Sequence, residues 1–129
     1  MSCATIYNLP YKVTGLSPFI FLVDIFNLHP TIMQLTKMGV IAKISKVWMD
    51  VGLVLDCEQS LLDYIQSNHS NNHNRCIQMF GEWLHHKEKT GGKPRTWRTL
   101  LEAVRESSTQ GHGQEKEIEK MLIKRNEGR

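Results

Sequence analysis

The chain has 129 residues, 40% of them apolar and 22% charged, which places it among ordinary soluble globular proteins with one domain and room for an extension. Sixteen Lys and Arg against 13 Asp and Glu leave a formal charge of +3, too weak a bias by itself to argue for nucleic acid. Three cysteines at unpatterned positions imply no disulfide framework and fit a reducing compartment, and no apolar run approaches the roughly 18 residues of a membrane helix.

Residues 1–29 read as an N-terminal extension of unassigned structure. They are apolar and aromatic, are broken by Pro10, Gly15 and Pro18, and keep neither strict alternation nor a helical period. They are either an arm packed on a helical bundle downstream or the edge of a larger protein. The start, Met1-Ser-Cys-Ala without an early Lys or Arg, does not have the basic opening of a secretory signal. Phe19–Phe26 is short enough to be a helix or a strand.

From Pro30 to about residue 127 the pattern is helical. Pro30 suits a first helical position, Ile32, Leu35 and Met38 share a face, and Gly39 ends or bends that helix. Ser45 can cap a second helix, Lys46 to Leu55, with Trp48, Val51 and Leu55 inward. Asp56-Cys-Glu-Gln59 reads as a capping box opening a third helix with Leu61, Leu62 and Ile65 inward. After a polar loop, Ser70 or Asn72 caps a fourth helix carrying Cys76, Met79, Phe80 and Trp83 on one stripe. A linker, Lys87–Arg95, leads to Thr96, which caps a fifth helix with Trp97, Leu100, Leu101 and Val104 inward. A last helix, about Gln114 to Asn126, presents Ile118, Met121 and Leu122. The expected fold is therefore all-α. Its anchors are Trp48, Leu55, Leu62, Ile65, Cys76, Phe80, Trp83, Trp97, Leu100 and Leu101, and the three indoles converge in one core.

Charge is unevenly placed. Between residues 47 and 74 there are four acids, Asp50, Asp56, Glu58 and Asp63, and no Lys or Arg. Residues 87–105 hold six bases against two acids. The acids form a candidate acidic interaction patch, and Lys87, Lys89, Lys93, Arg95 and Arg98 a candidate basic one. Oppositely charged patches on different parts of one body suit head-to-tail contacts.

No constellation for chemistry is expected. His69-x-x-x-His73-x-x-Cys76 has tolerable ligand spacing, but Cys76 belongs to the core stripe, and His85 and His86 lie nine or more residues further on. Cys57, at a helix start, is the thiol most open to activation, with a semi-buried structural role as its ordinary reading. Gly91-Gly92-Lys93-Pro94 lacks the spacing of a phosphate-binding loop. The expectation is no catalytic residue, no metal and no cofactor.

The order of these elements carries a resemblance. Trp48-x-x-Val51-Gly52-x-x-Leu55, then Leu62 and Ile65, Asn74-Arg-Cys76, Trp83-Leu84 and Thr96-Trp97-x-x-Leu100 together resemble the death domain of the death-fold superfamily, over about three quarters of the chain. The resemblance implies a six-helix antiparallel Greek-key bundle over residues 30–127. Asp56 stands where family members often have Gly after the second helix, and Ile118, Met121 and Leu122 replace the usual alanine-leucine pattern of the last helix. These departures leave a caspase-recruitment or death-effector relative as alternatives.

The resemblance also implies a non-enzymatic adaptor. It would be cytoplasmic and assemble with other death-fold proteins, homotypically or heterotypically, through asymmetric patches, in signalling such as apoptosis or innate immunity. The competing function is a helical nucleic-acid-binding module that uses the basic 87–105 segment.

Overall fold

The computed structural model describes residues 25–107 and 111–127, and every regular element among them is helical. In chain order these are α1 (Ile32–Lys37), α2 (Val40–Ile44), a 3-10 turn (Ser45–Val47), α3 (Trp48–Val54), α4 (Gln59–Asn68), α5 (Asn72–His85), α6 (Trp97–Ser107) and α7 (Gly111–Glu127). No helix among the described residues is long and apolar enough to cross a membrane. The expectations for residues 1–24, including Cys3 and most of Phe19–Phe26, lie outside the described residues.

The helix starts follow capping chemistry, though not always with the residue the sequence suggests. Pro30 precedes α1 rather than opening it. Thr31 is the cap, its hydroxyl accepting from Gln34 N–H at 3.1 Å while the Gln34 side chain accepts from Thr31 N–H at 3.0 Å. Gly39 then takes a left-handed conformation (φ 82°), which separates α1 from α2. Ser45 makes no side-chain cap. The chain instead tightens from α2 through a 3-10 turn into α3, and Val40, Ile41, Ile44, Trp48, Val51 and Leu55 line one buried face throughout. Asn71, between the two residues favoured from sequence, caps α5 by accepting from Asn74 N–H at 2.8 Å. Thr96 caps α6 as expected, its hydroxyl accepting from Thr99 N–H at 3.2 Å. The last helix begins at Gly111, three residues before the expected start near Gln114.

The core forms where α3 packs against α5 and α6, with α4 laid across α3 and α5 and α7 paired with α6. Trp48, Leu55, Leu62, Ile65, Cys76, Phe80, Trp83, Trp97, Leu100 and Leu101 are all buried within it. Each buried indole contributes about 3 kcal/mol from its area alone. Phe80 meets Trp83 edge-on, with ring centroids 6.3 Å apart. Gly52 lets α3 approach its neighbours closely: a Cβ there would lie 2.8 Å from Leu62 Cδ2 and 3.3 Å from Met79 Cγ.

The folded body also reaches upstream of residue 30. Ile25 is buried in the common core, and Trp97 N–H donates to Leu28 O at 3.0 Å. Residues 25–29 thus belong with the helices and not with a separate extension.

Candidate functional site

The surface carrying the candidate patches is built by two irregular segments, the α3–α4 turn and the α5–α6 linker. In the turn, Asp56 has φ 71°, the left-handed region that favours glycine. Asp56 N–H donates to Leu53 O at 3.0 Å and Cys57 N–H to Gly52 O at 2.9 Å, the paired bonds of a Schellman motif closing α3. Asp56 is therefore the stop of α3, and the capping box expected at Asp56–Gln59 does not form. Glu58 is the residue before α4, and its side chain makes no cap bond. The position at which the resembled family often has Gly is one whose backbone conformation is Gly-like.

The linker is polar in sequence and mostly exposed, but Thr90 and Arg95 turn inward. Thr90 is fully buried and donates its hydroxyl to His86 O at 2.7 Å. Arg95, expected on the exposed basic patch, is only 8% exposed. Its Nε donates to Trp83 O at 2.8 Å and its Nη1 to Gly91 O at 3.0 Å and Lys93 O at 2.6 Å. Nη2 donates to Thr90 O at 3.2 Å and to Thr90 Oγ1. All five guanidinium N–H groups thus have acceptors within the chain. The guanidinium also sits 5.6 Å from the Trp83 ring centroid, while the Trp83 indole N–H has no acceptor among the described residues. Arg95 is accordingly withdrawn from the interaction patch. A guanidinium with every donor engaged can shape the linker but cannot grip a partner's carboxylate or a phosphate.

Turn and linker are joined. Glu58 N–H donates to Lys89 O at 2.9 Å. Lys93 Nζ lies 3.8 Å from Asp56 Oδ2 and donates to Val54 O at 2.7 Å. Gly91 (φ 69°) packs so tightly that a Cβ there would lie 2.6 Å from Asp56 Cβ. Asp56 and Lys93, assigned from sequence to opposite patches, therefore satisfy one another within a single molecule. Arg98 is exposed but lies 5.7 Å from the Phe26 ring centroid and 3.5 Å from Asn27 Oδ1. Asp50, Glu58, Asp63, Lys87 and Lys89 remain at the surface, with Asp63 accepting from Gln59 Nε2 at 3.0 Å.

The two thiols among the described residues are quiet. Burial pushes Cys57 up from 9.0 to about 11, against the partly opposing charge of Arg95, and burial alone pushes Cys76 up to about 12. The helix-start activation envisaged for Cys57 is outweighed by its desolvation. No three His, Cys, Asp or Glu side chains among the described residues are grouped so as to hold a metal ion.

Two features escaped the sequence reading. Thr90 gave no signal, because a threonine between charged and glycine residues looks solvated. Tyr64 stands 66% exposed on α4, in a groove with Leu61, Glu82, Glu88 and Lys89. Its signal was available: an aromatic residue placed off the Leu61, Leu62 and Ile65 stripe.

No protein-family model matches the chain, and no curated protein or solved structure matches it significantly.

Proposed function

We propose that the chain is a non-enzymatic protein–protein interaction module of death-domain type, a six-helix Greek-key bundle acting as an adaptor. Its partners on this reading are other death-fold proteins, with itself among them, in cytoplasmic signalling that leads to cell death or innate immune responses. The observation that carries the reading is the convergence of Trp48, Trp83 and Trp97 in one core, from segments in the order of the resembled family. The left-handed backbone at Asp56, where that family often has Gly, supports it.

The groups proposed to dock are the exposed acids Asp50, Glu58 and Asp63 and the exposed bases Lys87 and Lys89. Each exposed contact contributes roughly 0.2–1 kcal/mol, so several act together. Burial of Arg95 removes one cation from the 87–105 segment and weighs against the nucleic-acid reading.

The test is capture and sedimentation of the full chain with itself and with recombinant death-fold domains. Binding by the wild type that is lost on Lys87→Glu with Lys89→Glu, with the helical circular dichroism unchanged, supports the reading. Unchanged binding by that double variant counts against the patch. Binding to duplex or single strands that falls steeply with salt would favour the nucleic-acid module instead.

A further inference from the structure

The face where the linker meets α4 carries both signs of charge side by side. The backbone bond from Glu58 N–H to Lys89 O sets these two side chains on neighbouring positions. The one ion pair among the described residues is Lys93 with Asp56, so Glu58 and Lys89 do not neutralise each other within the molecule. Tyr64 exposes an aromatic ring in a groove that it lines together with Lys89, Leu61, Glu82 and Glu88. An exposed aromatic bordered by charges has the composition of an interface, with an anchor at the centre and a polar rim.

The arrangement also bears on symmetry. Head-to-tail growth needs complementary patches on separate faces, so that a copy docked on one leaves the other open. Here the acidic turn and the basic linker adjoin, and a copy docked on either covers both. Such a surface is its own complement after a half-turn, which is the isologous case. Resting on the assembly reading above, we propose that this face docks a second copy of the chain as a closed two-fold dimer. In it, Lys89 of each copy meets Glu58 of the other, and the two Tyr64 rings lie near the axis. Every charge pair then occurs twice, so one substitution is felt at two places.

Sedimentation equilibrium of the full chain over a range of concentrations tests this. The wild type is expected to pass from one copy to two and no further, with the dimer weakening as salt rises. Lys89→Glu and Glu58→Lys are each expected to weaken self-association about tenfold, or about 1.4 kcal/mol, with circular dichroism unchanged. An equimolar mixture of the two variants is expected to restore a dimer holding one of each, because both contacts then join opposite charges. Mass growing past two copies would overturn the two-fold contact and leave the assembly reading standing. A wild type that stays monomeric at low salt would also overturn the dimer, and capture by a separate death-fold partner would then decide the assembly reading alone.

Discussion

The α5–α6 linker and α7 differ in a way that secondary structure conceals. The linker, Lys87–Arg95, has no regular hydrogen-bond pattern, whereas α7 is the longest helix described, at 17 residues. Yet the linker holds a fully buried Thr90, a nearly buried Arg95 and a glycine pressed against Asp56. From α7, only Ile118 and Leu122 are buried among the residues whose side chains are described. A segment is fixed by groups that cannot trade their partners for water, and the linker has more of these per residue than the helix does. The irregular piece is held by buried polar groups, whereas α7 is held by apolar packing along α6 through Ile118 and Leu122.

Substitution of Arg95 is the most severe test of that contrast. Arg95→Met keeps the length of the side chain and removes every donor. Acceptors on Trp83, Thr90, Gly91 and Lys93 lose their partner at once. The expected loss is more than about 3 kcal/mol by chemical denaturation, comparable to Trp83→Ala at about 3–5 kcal/mol. Lys120→Ala, on the exposed side of α7, is expected to stay within about 0.5 kcal/mol. Equal effects at the two sites would erase the distinction.

Gly91 comes next. Its left-handed backbone and the 2.6 Å approach to Asp56 Cβ both penalise a side chain. Gly91→Ala is expected to cost about 1–3 kcal/mol. Combining it with Asp56→Gly removes the atom it strikes, so the double variant is expected to recover part of that loss. Strict additivity of the two changes would show that the linker does not press on the turn.

The thiols give a pH test with a defined sign. Cys57 and Cys76 stay protonated in the folded chain up to about 11 and about 12, while in the unfolded chain they ionise near 9.0. Above that value the unfolded state binds fewer protons, so stability falls as pH rises, by about 1.4 kcal/mol per pH unit for each thiol. The contribution is intact below pH 9 and is lost through the folded values. The Cys57 decline is expected to end sooner, because burial raises its thiol less than it raises that of Cys76, and Arg95 offsets part of that rise. Denaturation of Cys57→Ala and Cys76→Ala from pH 8 to 12 reads the two declines and their ends separately. A slope unchanged by either substitution would mean the thiols are not buried.

Much of the core was legible in the sequence, because apolar periodicity reports burial directly. The stripes through Trp48, Phe80 with Trp83, and Trp97 with Leu100 each settle which face of a helix turns inward. The ends of helices were harder. Thr96 does what its position suggests, but Asp56 reads equally as the start of one helix or the stop of another. Only its positive φ distinguishes them. The exposed charges misled for a related reason. Lys and Arg in a Gly-Pro stretch signal solvent, and nothing local says that Arg95 will lie against Trp83, twelve residues away. Whether Asp56 and Lys93 sit on separate patches or form one ion pair depends on a chain reversal that composition does not record.

The smallest expected effect isolates that turn. Asp56→Gly and Asp56→Ala both delete the carboxylate and its 3.8 Å contact with Lys93, a half-exposed pair contributing at most about 1 kcal/mol. Only the glycine relieves the left-handed backbone, and only the alanine spares the unfolded chain its extra freedom. Strain relief is the larger of these at a Schellman stop, so the glycine variant is expected to be the more stable by about 1 kcal/mol, and to fall within about 1 kcal/mol of the wild type. Thermal denaturation of the pair is sufficient, since the comparison cancels the lost ion pair. An alanine variant as stable as the glycine one would mean that residue 56 is not held left-handed. The linker would then owe its order to Arg95 and to the bonds of Thr90, Lys89 and Lys93, and not to the press of Gly91 on that turn.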